Sequence, residues 1–295
     1  MRLEGTIMRA LSGFYYVSQG DSLIQCRARG RFRKEGLTPL VGDWAEVEPG
    51  PDGTGTITAI APRKNAFARP AVANVDYLIM IVSAAIPVTD PFLADRVTVR
   101  CEKNRCGVML VINKCDLDPG DKLAEIYEST GYPVFRVSAA TGEGVSALRS
   151  AMAGKICCFT GNSGVGKSSL LNALAPGFAI PTAEVSRKLG RGKHTTRHVE
   201  LFDIGDGTLI ADTPGFASFS DEGETPITAI ELAGLFPEFA PYRNECRFDD
   251  CTHRAEPGCA LRQAVEDGAI HESRYSSYRR LYEEAAKLKA WEIDT

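Results

Sequence analysis

The sequence predicts an α/β chain in three parts: a small β-barrel, a parallel sheet with crossover helices, and a helical C-terminal region organised around cysteines. Three observations carry that prediction. Short strand-like segments separated by Gly, Asp and Pro fill residues 4–60, apolar runs then alternate with helical stretches to residue 211, and Cys246, Cys251, His253 and Cys259 cluster further on. At 295 residues the chain suits two or three domains, each able to bury a core, and 44% hydrophobic with 24% charged residues is a globular composition. A formal net charge of −4 argues against a uniformly basic nucleic-acid coat but leaves room for a local basic face.

In the first part, strand character falls on 13–18, 22–28, 44–47 and 55–60, with a turn at 49–55, a pattern that suits a small barrel. The Pro-flanked stretch 62–70 reads as a linker, so a boundary is expected near residue 70. Strands are then expected at 77–82, 108–112, 134–137 and 156–159, alternating with helices at 92–103, 121–129 and 145–152. A helix at 167–174 and strands at 198–202 and 208–211 complete the sheet, and the texture turns helical beyond residue 222. The expected domains are therefore 1–70, 71–222 and 223–295. The start of the chain lacks an uninterrupted apolar run and the longest apolar stretch, 77–88, is too short to span a bilayer, so a soluble cytoplasmic protein is expected, with no membrane partner.

Gly161-Asn162-Ser163-Gly164-Val165-Gly166-Lys167-Ser168 matches the phosphate-loop pattern G-x4-G-K-S, after an apolar run and before a helical one. Glycines let backbone N–H groups turn toward phosphate oxygens, Lys167 reaches the β and γ phosphates, and Ser168 offers its hydroxyl to Mg²⁺, with Ser169 beside it in the binding set. Asp212-Thr213-Pro214-Gly215 follows a strand, where Asp212 can hold the Mg²⁺ shell and the Gly215 N–H can face the γ-phosphate. In Asn113-Lys114-Cys115-Asp116 the Asp116 carboxylate can accept from guanine N1–H and the exocyclic amine. Adenine would leave that carboxylate unpaired, at a cost of about 1–3 kcal/mol or more, which disfavours an ATPase. Asn113 would orient the loop, the Lys114 stem would cover the base, and Ser138-Ala139-Ala140 can offer backbone N–H to guanine O6. The base-reading motif precedes the phosphate loop, the reverse of the usual order. The chain therefore reads as a circularly permuted P-loop GTPase domain, cut elsewhere but with its pocket kept, and its new ends are where further domains attach.

These motifs resemble the ribosome-small-subunit-dependent GTPase A family over nearly the full length. The resemblance implies an N-terminal OB-like β-barrel, the permuted GTPase domain and a C-terminal helical zinc-binding domain. It further implies a monomer acting in late maturation of the 30S ribosomal subunit, with that subunit and its rRNA as partners, GTP and GDP as ligands, hydrolysis stimulated by the subunit, and release coupled to hydrolysis. It also draws attention to residues 190–196 as the first switch loop, where Thr196, or alternatively Thr195, would bind Mg²⁺ in the GTP state. Position 197 is Arg, where family members commonly carry a third threonine. Phe216 follows Gly215 where many small GTPases place a glutamine, and a phenyl ring cannot orient water, so turnover should be slow until a partner helps. His194 is the candidate for that role, the alternative being an exposed loop histidine.

Cys246, Cys251, His253 and Cys259 form C-x4-C-x-H-x5-C, three thiolates and an imidazole, enough for one closed, structural Zn²⁺ site. On spacing alone, buried or redox cysteines are the alternative; the family's zinc motif favours metal. His271 is a reserve ligand or a surface residue. Arg27, Arg29, Arg31, Arg33 and Lys34 around Phe32 read either as an RNA-binding arc or as a solvated loop, and the 274–289 stretch as a second basic candidate whose tyrosines pack. The rival functional reading is an RNA-binding assembly factor for which GTP is only a structural or conformational ligand.

Overall fold

The computed structural model describes residues 2–20, 22–177, 199–212 and 223–288. Five strands, β1 (Leu3–Leu11), β2 (Phe14–Gln19), β3 (Ser22–Ala28), β4 (Trp44–Pro49) and β5 (Gly55–Ile60), pair in the order β1-β2-β3-β5-β4, and β4 returns to β1. Closure leaves this small sheet without a free edge and gives every strand an inner face, filled by Ile7, Val17, Ile24, Cys26, Ala45, Val47 and Ile57. β1 was not among the expected strands because Gly5 interrupts its pattern. The structure shows why glycine stands there: a Cβ would lie 2.0 Å from the Ser18 carbonyl oxygen of β2. Between β3 and β4, where a basic arc was read around an aromatic, the short helix α1 (Gly30–Lys34) turns Phe32 into the barrel core at 3% exposure. Phe32 is thus a plug, unavailable for stacking on a base.

A small hairpin, β6 (Ala66–Phe67) and β7 (Val72–Ala73), leads into β8 (Tyr77–Ser83), α2 (Pro91–Lys103), β9 (Gly107–Asn113), α3 (Asp121–Tyr127), β10 (Val134–Arg136), α4 (Val145–Met152), β11 (Ile156–Thr160), α5 (Lys167–Leu174), β12 (Glu200–Asp203) and β13 (Leu209–Asp212). The spatial order is β10-β9-β8-β11-β13-β12, parallel except for β12, which runs antiparallel to β13. β8 and β9 are near-continuous apolar runs because helices cover both faces: α2 and α3 on one, α4 and α5 on the other. β11 lies between β8 and β13, so the loop after it opens at the carboxyl ends of the parallel strands, at the point where strand order changes direction. A bridge between Arg9 and Glu200 joins the barrel to this sheet.

The C-terminal lobe comprises helices Ala229–Leu232, Ala260–Glu266 and Glu272–Ala285. Leu232, Phe236, Phe239, Leu261, Tyr275 and Tyr278 form its core, together with Phe92 and Val99 of α2. Tyr275 and Tyr278 therefore pack, as expected from their helical spacing. No helix among the described residues is long and apolar enough to cross a membrane.

Candidate functional site

Asn113 ends β9 at 1% exposure, and its side-chain amide joins three segments far apart in sequence. Nδ2 donates to the Val165 carbonyl at 2.8 Å, and Oδ1 accepts from the Ala139 N–H at 3.1 Å. The Ser138 hydroxyl donates to the Asp116 carboxylate at 2.6 Å, while the Thr141 N–H donates to Ser138 Oγ at 3.1 Å. Ala140 lies in the same turn, closed by the Gly142 N–H donating to the Ser138 carbonyl at 2.8 Å. Lys114 adopts φ +68° and its Nζ donates to the Ile86 carbonyl at 2.6 Å. The Cys115 thiol donates to the Ile112 carbonyl at 3.2 Å, and burial pushes its pKa up. The loop after β8 was not among the expected site segments, because a carbonyl acceptor leaves no trace in side-chain pattern.

In the phosphate loop, Gly161 has φ +146° and a Cβ there would lie 2.3 Å from the Ile81 carbonyl oxygen. Gly166 has φ +94°, and a Cβ there would lie 2.3 Å from Asn113 Nδ2. Gly164 packs against Pro87, Val165 is fully buried, and Asn162 accepts the Val165 N–H at 3.4 Å across Ser163. Lys167 opens α5, with Ser168 and Ser169 in the same first turn, where helix N–H groups lack intrahelical partners. The Lys167 ammonium donates to the Gly161 carbonyl and, at 2.9 Å, to the Asn162 carbonyl; burial lowers its pKa. Asp212 closes β13, whose parallel pairing with β11 sets its backbone beside the strand that feeds the loop. The Asp212 side chain, His194, Thr195, Thr196 and Gly215 lie outside the described residues.

The ligand atoms of Cys246, Cys251, His253 and Cys259 all lie within 4.8 Å of one another. Cys246 Sγ is 3.4 Å from His253 Nδ1 and 3.8 Å from Cys259 Sγ, and Cys259 Sγ is 3.6 Å from the same nitrogen. Tetrahedral zinc with metal–sulfur bonds of about 2.3 Å separates its ligands by roughly 3.5–3.8 Å, so the donor set fits that ion. Burial lowers the His253 pKa, the direction that favours the neutral imidazole a metal ligand presents. Burial, with the neighbouring thiols adding, pushes the Cys251 thiol up to about 12. The loop is pinned by the Tyr275 hydroxyl donating to the His253 carbonyl at 2.9 Å and the Tyr278 hydroxyl to the Thr252 carbonyl at 2.7 Å. His271 caps the Glu272–Ala285 helix, its Nδ1 accepting from the Ser273 N–H at 3.1 Å.

On the barrel, the Arg27 guanidinium lies 4.6 Å over the Phe14 ring, Arg29 pairs with Glu48 at 2.5 Å, and Arg31 donates to the Thr58 carbonyl. Lys34 is exposed, and the Arg33 side chain lies outside the described residues. Trp44 on β4 is an exposed aromatic of the same barrel, at 47% exposure.

A parallel P-loop sheet with its base-reading motif ahead of its phosphate loop defines the class: a circularly permuted GTPase, carrying an OB-like barrel and a Cys/His lobe consistent with a zinc site. Residues 60–221 match the RsgA GTPase family and residues 4–57 the RsgA N-terminal domain. Two proteins, each named small ribosomal subunit biogenesis GTPase RsgA, are similar at full length. That of Shouchella clausii is 46% identical, over 97% of this chain and 98% of the relative, and that of Caldanaerobacter subterraneus is 43% identical, over 96% of each. Among solved structures, YjeQ from Thermotoga maritima aligns with TM-score 0.83 at 36% identity, covering 98% of this chain and 100% of its own. YloQ, described as a circularly permuted GTPase, aligns with TM-score 0.81 at 38% identity, covering 98% of this chain and 96% of its own. The chain belongs to the RsgA GTPase family and is a GTPase.

Proposed function

We propose that this GTPase acts in late maturation of the 30S ribosomal subunit, that the subunit stimulates its hydrolysis, and that hydrolysis releases it. The observation that carries the nucleotide half is the Asn113 amide joining the base-reading turn to the phosphate loop. The names of the full-length relatives support the ribosomal half. Asp116, held by Ser138, accepts from guanine N1–H and the exocyclic amine. The Ala139 N–H is already taken by Asn113, which leaves that of Ala140 for O6. Asn162 to Val165 and Gly166 to Ser169 surround the phosphates with backbone N–H groups, and Lys167 turns from its loop carbonyls to the β and γ oxygens. Ser168, Thr196 and Asp212 would hold Mg²⁺, which neutralises charge on the phosphates. His194 orients the attacking water once the subunit is bound. Barrel residues Arg27 and Lys34, with exposed Trp44, supply the rRNA contact. The domains take the limits 1–70, 71–222 and 223–295, and the protein works as a cytoplasmic monomer.

Multiple-turnover GTP hydrolysis with and without purified 30S particles tests this reading. Stimulation is expected, and His194→Ala should lower the stimulated kcat by about 10²-fold, the scale of a positioned proton-transfer group, while leaving nucleotide affinity intact. Equal turnover with and without particles would overturn stimulation by the subunit, and no turnover in either case would leave GTP as a structural or conformational ligand. For the metal centre, a chelator should melt the region around 235–264 before the sheet, read by hydrogen exchange; no metal in the purified protein would end the zinc assignment.

A further inference from the structure

The nucleotide-binding sheet and the C-terminal lobe meet through a buried ion set. Arg274, on the Glu272–Ala285 helix, is fully buried. Its Nη1 donates to Asp95 Oδ1 on α2 at 2.6 Å, and its Nε and Nη2 donate to the two Glu238 carboxylate oxygens at 2.6 and 3.3 Å. The guanidinium lies 4.7 Å over the Phe236 ring, and the Tyr127 hydroxyl donates to the same Asp95 oxygen at 2.9 Å. One cation faces two buried carboxylates, and Asp95 Oδ2 has no hydrogen-bond partner among the described residues.

Such a set is a poor choice for stability alone, because apolar side chains of the same volume commonly do as well or better. What it adds is direction. A planar fork satisfied on two sides accepts one geometry, whereas apolar surfaces slide. The loop that leads into the helix it grips reaches the pocket. The loop before α2 contributes the Ile86 carbonyl to Lys114 and packs Pro87 against Gly164.

We propose that Arg274 is a positioning residue for partner-stimulated hydrolysis: it sets the angle at which the zinc-binding lobe stands on α2, so that lobe, barrel and nucleotide pocket present one fixed arrangement to the particle. The proposal rests on the ribosomal reading above. The test compares the full-length wild type with an apolar triple variant (Arg274→Met, Asp95→Leu, Glu238→Met), with Arg274→Lys, and with Asp95→Asn, whose amide oxygen still accepts from Arg274 and Tyr127. The triple variant should keep its zinc content, GDP affinity and basal turnover, while its 30S-stimulated kcat falls at least tenfold with KM for GTP little changed. Asp95→Asn should retain stimulation, and Arg274→Lys, which keeps the charge but loses the fork, should not. A folded triple variant stimulated like the wild type overturns the proposal; if the triple variant does not fold, full stimulation of Arg274→Lys overturns it instead. A wild type that the particle does not stimulate overturns the ribosomal reading and this proposal with it.

Discussion

The two ends of the nucleotide pocket are built on different terms. At the base end the polar groups are already in place: Asn113 uses both atoms of its amide inside the fold, and Asp116 is held by Ser138 at 2.6 Å. At the phosphate end Lys167 spends its ammonium on carbonyls of its own loop, Gly161 and Asn162. On the proposed reading, base recognition would require little rearrangement, whereas phosphate binding would exchange internal hydrogen bonds for external ones. Lys167 contributes only the difference between the two sets of bonds. Burial, which lowers the Lys167 pKa, makes an arriving anion worth more to it than it would be in water.

The most severe way to probe this contrast is Gly166→Ala, because a Cβ 2.3 Å from Asn113 Nδ2, on a backbone at φ +94°, disturbs both ends at once. Strain of about 1–3 kcal/mol plus a lost buried hydrogen bond should weaken GDP and GTP binding by roughly 10²–10³-fold in titration calorimetry. Binding close to wild type would show that the ends do not share Asn113. Lys167→Ala should act on one end alone. A charge-assisted bond of about 1.5–3 kcal/mol predicts GTP binding weaker by roughly 10–10²-fold with guanosine binding unchanged, and equal losses for both ligands would erase the distinction. Smallest is Ser138→Ala, which frees the Asp116 carboxylate. About 1 kcal/mol, or roughly fivefold, should be lost from the preference for GTP over ATP in competition, with little change in phosphate affinity.

Much of the candidate pocket shows as a pattern in the sequence because the chemistry proposed for it is local. A phosphate loop needs glycines, a lysine and a hydroxyl in one short run, and a zinc cluster needs its donors close together, so both appear as patterns. Asn113 was legible as part of a motif but not as a bridge, since its partners lie 26 and 52 residues away. Arg274 read as one charge on a basic helix; its carboxylates stand 36 and 179 residues off, and only packing reveals that it is buried. Phe32 misled for the opposite reason: arginines beside an aromatic suggest stacking, but a single turn of helix sends the ring inward. β1 was missed because Gly5, which breaks its pattern, answers to a backbone contact with β2.

By itself the sequence determined the rotated motif order, the alternation of strand and helix, and the donor set for a metal, because each depends on neighbours along the chain. Tertiary structure alone decided that the barrel closes through β4 on β1, that one amide ties the 138–142 turn to the glycine-rich loop, and that a buried guanidinium joins the Cys/His lobe to α2. Those features depend on which distant groups lose water together, and burial of that kind is a property of the folded whole.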